Sequence, residues 1–182
     1  MADSEEIHVW DKEADRALSD PIIEDLPVTI SKWLLFYNIS GKVLDLGCNI
    51  GKWYKAFAKH GFNYTGIDQS ARAISHAINR YPNARFICTR IQNFLEENIY
   101  DLAFTSAVLQ HNKDDRKDFI LGVIRRALKK YGYYIMTENT VNSDVDGYSK
   151  TKDSWINFVT ARCFSFIAYD PSGPYYLFRV IK

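Results

Sequence analysis

The stretch Val43-Leu44-Asp45-Leu46-Gly47-Cys48-Asn49-Ile50-Gly51 constrains this chain more than any other. Its first residues read as a parallel strand buried on both faces, and the glycines let the backbone turn sharply into a helix. Asp45 sits inside the strand, where a carboxylate is costly unless it has a partner. After one intervening helix, Tyr64-Thr65-Gly66-Ile67-Asp68 repeats the theme as a short apolar strand ending in an acid. Strands alternating with helices predict a parallel sheet covered on both faces, with its ligand outside the carboxyl ends of the strands.

Spacing narrows the ligand. A dinucleotide fingerprint is G-x-G-x-x-G, whose glycines let the backbone approach a pyrophosphate. Here the glycines are spaced G-x-x-x-G, with Asn49 in place of the middle one. S-adenosylmethionine carries no phosphate, so a looser turn suffices. It needs an acid for the ribose diol, polar groups for its amino-acid end and a glycine wall beside the methionine. Asp45, Gly47, Gly51 and Asp68 offer these. The alternative is a plain strand-turn-helix unit with incidental acids.

The segment from Val43 to about Thr140 resembles the core of a class I S-adenosylmethionine-dependent methyltransferase. Its strands read LDLGCNIG, YTGIDQS, ARFICTRIQNF, YDLAFTSAVLQH and YGYYIMTENT in order. The resemblance implies an α/β fold, a Rossmann-like doubly wound sheet of about seven strands, mostly parallel with an antiparallel C-terminal strand. It also implies S-adenosyl-L-methionine as cofactor and S-adenosyl-L-homocysteine as product.

Hydrophobic periodicity supplies the remaining elements. Met1 to about Glu6 is acidic and expected to fray; Ile7 to Leu18 predicts a helix with Val9, Trp10, Ala14 and Leu18 on one side. Val28 to Tyr37 predicts a second helix. Ser70 is placed to cap a helix that Pro82 ends. A helix from about Asp115 to Lys130 is expected to bury Phe119, Ile120, Val123, Ile124, Ala127 and Leu128, with Arg125, Arg126, Lys129 and Lys130 as its solvated face. Trp155, Phe158 and Val159 mark a last helix, and two apolar runs flank Pro171-Ser172-Gly173-Pro174 as a hairpin. The expected organisation is one domain over 1–182, with 1–40 as a helical cap and 41–182 as the cofactor-binding core.

Composition excludes several classes. A net charge of +1 offers no basic footprint for nucleic acid. No apolar run is long enough to cross a membrane. The three cysteines are widely spaced, with no C-x-x-C pair, and suggest neither a disulfide framework nor a metal site. A cytoplasmic protein, monomer or homodimer, is expected.

Several residues carry the expected chemistry. Asp68 closes its strand and is suited to accept from both ribose hydroxyls. Asp45 is expected to hold the turn and reach the methionine ammonium, with Gly47, Cys48, Asn49, Gly51, Trp53, Gln69, Ser106 and Ala107 completing the cofactor site. Arg90 stands where the family places a carboxylate for the adenine amine, and arginine accepts no hydrogen bond. Ile91 and the Gln92 amide are therefore the expected adenine neighbours. His111 and Glu138 are candidate catalytic groups, imidazole being a base suited to neutral pH. Trp10, Trp33, His111 and Asn139 are candidates on the acceptor side. Methyl transfer depends chiefly on alignment, and a base is needed only for a protonated nucleophile.

The acceptor is expected to be a small molecule methylated at oxygen, nitrogen or carbon. His111, and Asn139 followed by Asp144-Val145-Asp146, also resemble protein alpha-N-terminal methyltransferases, which implies a peptide N-terminus as alternative. A third reading is a non-catalytic, regulatory S-adenosylmethionine-binding protein, motivated by Asn49 and Arg90.

Overall fold

The computed structural model describes residues 2–144 and 147–182, with side chains from residue 8 onward. Met1, and the Val145 and Asp146 of the peptide-like motif, lie outside the described residues. The order is α1 (Ala2–Ala17), α2 (Val28–Phe36), β1 (Lys42–Leu46), α3 (Tyr54–Lys59), β2 (Asn63–Asp68), α4 (Ala71–Arg80), β3 (Arg85–Cys88) and β4 (Tyr100–Ser106). Then follow α5 (Asp114–Ala127), β5 (Leu128–Thr137), α6 (Lys152–Thr160), β6 (Phe164–Asp170) and β7 (Tyr175–Val180).

The strands form a seven-stranded sheet in the order β3-β2-β1-β4-β5-β7-β6. The β3 to β5 pairings are parallel, and β7 lies antiparallel between β5 and β6. This is the expected Rossmann-like α/β sheet with its antiparallel C-terminal strand. The order reverses at β1, whose neighbours β2 and β4 run to opposite halves, and a crevice opens there at the carboxyl ends.

Strand alternation divides the core into two layers. Leu44, Leu46, Ala103, Tyr134, Met136, Tyr176 and Phe178 pack with α5 and α6 residues such as Ile120, Leu121, Ile124, Trp155 and Val159. Their neighbours Val43, Leu102, Phe104, Ile135 and Leu177 pack on the opposite face with Ile30 and Leu34 of α2 and Ala56 and Phe57 of α3. Burial on both faces is why these strands read as near-continuous apolar runs rather than alternating ones.

Several expectations need correction. The first helix starts at Ala2, not Ile7. Leu18 lies beyond its end and is exposed. Helix α5 stops at Ala127 because Leu128 already pairs with Tyr100 in the sheet and the Ala127 carbonyl accepts from Ile99. Lys129 and Lys130 therefore belong to β5, not to a helical face. Phe119 is 68% exposed. The buried arc of α5 runs through Lys117, Ile120, Leu121, Val123, Ile124 and Ala127, and Phe119 falls just outside its edge.

Candidate functional site

The turn after β1 takes left-handed conformations at Gly47, Asn49 and Gly51 and is tied to β2 by two backbone bonds. Gly47 takes φ +75, and a Cβ there would stand 2.7 Å from Cγ2 of Val108. Only glycine meets both demands without displacing the neighbouring wall. Asn49 takes φ 49, a conformation that asparagine tolerates better than most residues, which explains how the turn survives without its middle glycine. The Gly47 and Cys48 amides both donate to the Ile67 carbonyl of β2, at 2.8 and 3.0 Å.

Asp68 ties this turn to the next helix. One carboxylate oxygen accepts from the Asn49 amide and the other from the Ser70 amide, each at 2.9 Å. Ser70 caps α4 through its hydroxyl, which accepts from Ala73 at 3.0 Å and donates to Asp11 of α1 at 2.5 Å. Burial pushes the Asp68 carboxyl upward, against the pull of the amides of Ser70, Asn49 and Gln69. Each oxygen retains capacity for a further donor, as a ribose diol requires.

A cavity of about 580 Å³ opens beside these groups. That lies within the roughly 300–1,000 Å³ of ordinary ligand pockets. Gly47, Cys48, Asn49, Trp53, Asp68, Gln69, Ile91, Gln92, Ser106 and Ala107 all line it, together with Trp10 and His111. So does Val108, which follows Ser106 and Ala107 in the expected cofactor wall, and so do Val9, Glu13, Ile23, Lys52, Asn112 and Ile120, which the sequence reading missed. Val9 and Glu13 share a helical face one turn apart, so the spacing from Trp10 held a usable signal. Ile23, Asn112 and Ile120 reach the cavity only through tertiary folding.

Five other candidates lie away from it. Asp45 is 1% exposed and accepts from the Tyr64 hydroxyl at 2.5 Å. It lies on the α2 and α3 side of the sheet, outside the cavity lining. Burial raises its carboxyl to about 7; the Tyr64 bond pulls it down, and the Asp68 charge adds to the rise. Gly51 faces Phe86 and Tyr81, where it lets the turn pack against β3. Trp33, on α2, is partly buried against the core layer that α2 and α3 cover. Asn139 is exposed; its amide donates to the Gln110 side chain and its carbonyl accepts from the Trp155 indole.

Glu138 is the largest correction. The sequence makes it a candidate catalytic group, but it is 1% exposed and grips the loop after β4 from beneath. One oxygen accepts from the Val108 and Leu109 amides and the other from Gln110, all at 3.0 Å, while Thr105 donates at 3.4 Å. Burial raises its carboxyl to about 7, against these same bonds. The loop it holds carries Ala107 at φ 55, the Val108 wall beside Gly47, and a short 3-10 turn, Leu109–His111. His111 meets the Trp10 ring edge-on, with centroids 5.7 Å apart and planes at 74°.

The lining fits S-adenosylmethionine on its own chemistry. Asp68 presents a bidentate acceptor, and the Gly47 turn allows close approach. The amide oxygen of Asn49 is buried with no hydrogen-bond partner, an acceptor whose cost a ligand donor removes.

Known proteins agree with this geometry. A family model described as a methyltransferase domain matches residues 43–132. The ubiquinone biosynthesis O-methyltransferase of Vibrio parahaemolyticus serotype O3:K6 is 30% identical over 115 residues, covering 59% of this chain and 46% of that protein. The chain thus spans about half the length of the curated relatives it matches. Among solved structures, a SAM-dependent methyltransferase from Methanosarcina mazei has a TM-score of 0.71 at 17% identity, covering 86% of this chain and 99% of the other. The 1,6-didemethyltoxoflavin-N1-methyltransferase of Burkholderia thailandensis, with bound substrate and S-adenosylhomocysteine, has a TM-score of 0.67 at 19% identity, covering 84% and 76%. At those identities the likeness to the solved structures is one of fold. Motif order, sheet topology and the family match together make this chain a member of the class I S-adenosylmethionine-dependent methyltransferases.

Proposed function

We propose that this chain transfers the methyl group of S-adenosylmethionine to a small-molecule acceptor. The observation that carries the reading is the Asp68 carboxylate, held by two backbone amides at the rim of a cavity that the Gly47 turn also lines. When bound, the cofactor supplies an electrophilic methyl group on a sulfonium. The chain's own residues do the rest. Asp68 accepts from the ribose hydroxyls, and Ile91 and Gln92 flank the adenine. Gly47, Asn49, Ser106 and Ala107 border the methionine part. Glu138 acts at one remove, by fixing the loop that carries Val108 and His111. Its burial and its three backbone-amide partners support a positioning role over proton transfer.

Helix α1 supports a small acceptor over a peptide end, because its Val9, Trp10 and Glu13 help to line the cavity. The Vibrio relatives named as O-methyltransferases support the same class. Cys48, Cys88 and Cys163 are all free, in keeping with a reducing, cytoplasmic setting.

Calorimetric titration with S-adenosylhomocysteine tests the reading. Saturable binding is expected, and Asp68→Ala is expected to weaken it at least about tenfold, since two hydrogen bonds to a charged acceptor are lost. Unchanged affinity in that variant would remove Asp68 from the site. Binding without S-adenosylhomocysteine release over a pool of hydroxylated and amino compounds would instead indicate a regulatory binding protein.

A further inference from the structure

We propose that the methyl acceptor is an uncharged, planar aromatic compound bearing a hydroxyl group, seated in the part of the cavity lined by Trp10, Trp53 and His111. The inference rests on the methyltransferase reading above and adds the substrate class.

The lining divides by origin. The turns directly after β1, β2, β3 and β4 carry the residues assigned above to the cofactor. The remainder come from α1, the chain between α1 and α2, the two residues before α3, the end of the His111 turn and Ile120 of α5. Their walls are aromatic and aliphatic: Trp10, Trp53 and His111, with Val9 and Ile23. Trp10 and His111 form a corner, their planes at 74°, in which a flat ring can stack on one and meet the edge of the other. Trp53 is fixed from behind, edge-on to buried Phe104 with centroids 4.9 Å apart. A wall held in advance loses little freedom when a flat ligand packs on it.

Charge points the same way. Two ionic side chains line this region, and each is already matched. Glu13 pairs with Arg16 at 2.8 Å, and Lys52 pairs with Asp20 at 2.6 Å. Their charges cancel, so the region has no net field favouring an anion or a cation. Bringing a charged acceptor out of water against aromatic walls is unfavourable without a counter-charge.

His111 then explains the hydroxyl. An uncharged hydroxyl is a poor nucleophile until it loses its proton, and the imidazole in ring contact with Trp10 is the base in this region. The acceptor O–H gives its proton to His111, its oxygen forms the new bond to the methyl carbon, and the C–S electron pair returns to sulfur. Charge and atoms balance: the sulfonium becomes a neutral thioether, and the positive charge resides on the imidazolium until solvent removes the proton.

The test is binding to the protein saturated with S-adenosylhomocysteine, read by calorimetry and tryptophan fluorescence with four probes. These are 1-naphthol, the 1-naphthoate anion, the 1-naphthylmethylammonium cation and the non-planar decahydro-1-naphthol. We expect 1-naphthol to bind about tenfold more tightly than each of the others. We expect Trp10→Ala to weaken it roughly fivefold, with S-adenosylhomocysteine affinity unchanged. Tighter naphthoate or ammonium binding overturns the neutral acceptor, and equal decahydronaphthol binding overturns the planar one. Unaltered naphthol binding in Trp10→Ala overturns its location. If S-adenosylhomocysteine binds and no probe does, this inference fails while the methyltransferase reading stands. If S-adenosylhomocysteine itself does not bind, the reading beneath it fails as well.

Discussion

Two buried carboxylates, Asp45 and Glu138, each rise to about 7 through burial, and both make this protein's stability depend on pH. The sign follows from linkage. Unfolded, each carboxyl loses its proton near 4; folded, it keeps the proton until about pH 7. Between those values the folded state binds more protons, so stability falls as pH rises. Their contribution is fully present below about pH 4 and is lost by the time pH passes 7. The loss is on the order of 3–4 kcal/mol for each group. Asp45→Asn tests this, because its amide oxygen still accepts from Tyr64 while losing the titratable proton. The melting temperature of the parent protein is expected to decline from about pH 4.5 to about pH 7.5, and that of Asp45→Asn to decline less. Parallel profiles would show that Asp45 is already ionised across the range. Asp68 differs in function because its oxygens meet both backbone amides and the cavity.

Helices on the two sides of the crevice are held by different means. Helix α1 docks through Ala14 and Ala17 against Ile50 and Ala73, and through Asp11 on Ser70 and Asp15 on Arg72. Replacing Ala14, which is fully buried, with Asp should undock α1 and weaken acceptor binding, while far-ultraviolet circular dichroism retains the sheet. Native-like naphthol affinity in that variant would show that α1 does not shape the acceptor region. On the other side, Lys117 of α5 is fully buried and donates to Asp114 and to the Gly147 and Tyr148 carbonyls. Its ammonium also lies 5.2 Å from the Trp155 ring centre. It staples the chain between β5 and α6 to α5. Lys117→Met keeps the volume but leaves those carbonyls unpaired, which should cost about 1–3 kcal/mol in urea unfolding. Amide exchange should quicken around Gly147 and Tyr148. Unchanged protection there would show that the staple does not order the loop.

At the scale of the whole molecule, the last strand completes the core. β7 inserts between β5 and β6, and its Tyr176 and Phe178 rings lie nearly parallel, with Phe178 stacked on Tyr134 of β5. These rings belong to the same layer as Ile124, Trp155 and Val159. Phe178→Ala should therefore lower stability by about 3–5 kcal/mol, as large aromatic truncations in closed cores do. The urea midpoint is expected to fall with an unchanged slope, since the same surface is exposed on unfolding. A loss below about 1 kcal/mol would mean that the hairpin is not integral to the core.

The order of elements, the two glycine-acid turns and the cofactor they suit were legible from residues alone. Each depends on local rules: the period of apolar residues, the φ values that glycine and asparagine tolerate, and the capping oxygen of Ser70. Boundaries slipped where pairing intervened, as at Leu128, whose bonds to β4 end a helix that its own spacing would extend. The aim of side chains was not legible. Asp45 and Asp68 are both acids in glycine-flanked strands, yet one lies within its strand facing Tyr64 and the other at a strand end facing the cavity. Glu138 reads as a polar residue at a strand's mouth, and only the folded loop above it turns its carboxylate into a buried clasp. Trp10 and His111 are far apart in sequence and meet because α1 docks on α4. Local preference chose the elements and the cofactor's chemistry. Long-range packing chose which polar groups face the cavity, because only the assembled sheet determines which carboxylates are covered and which remain open to a ligand.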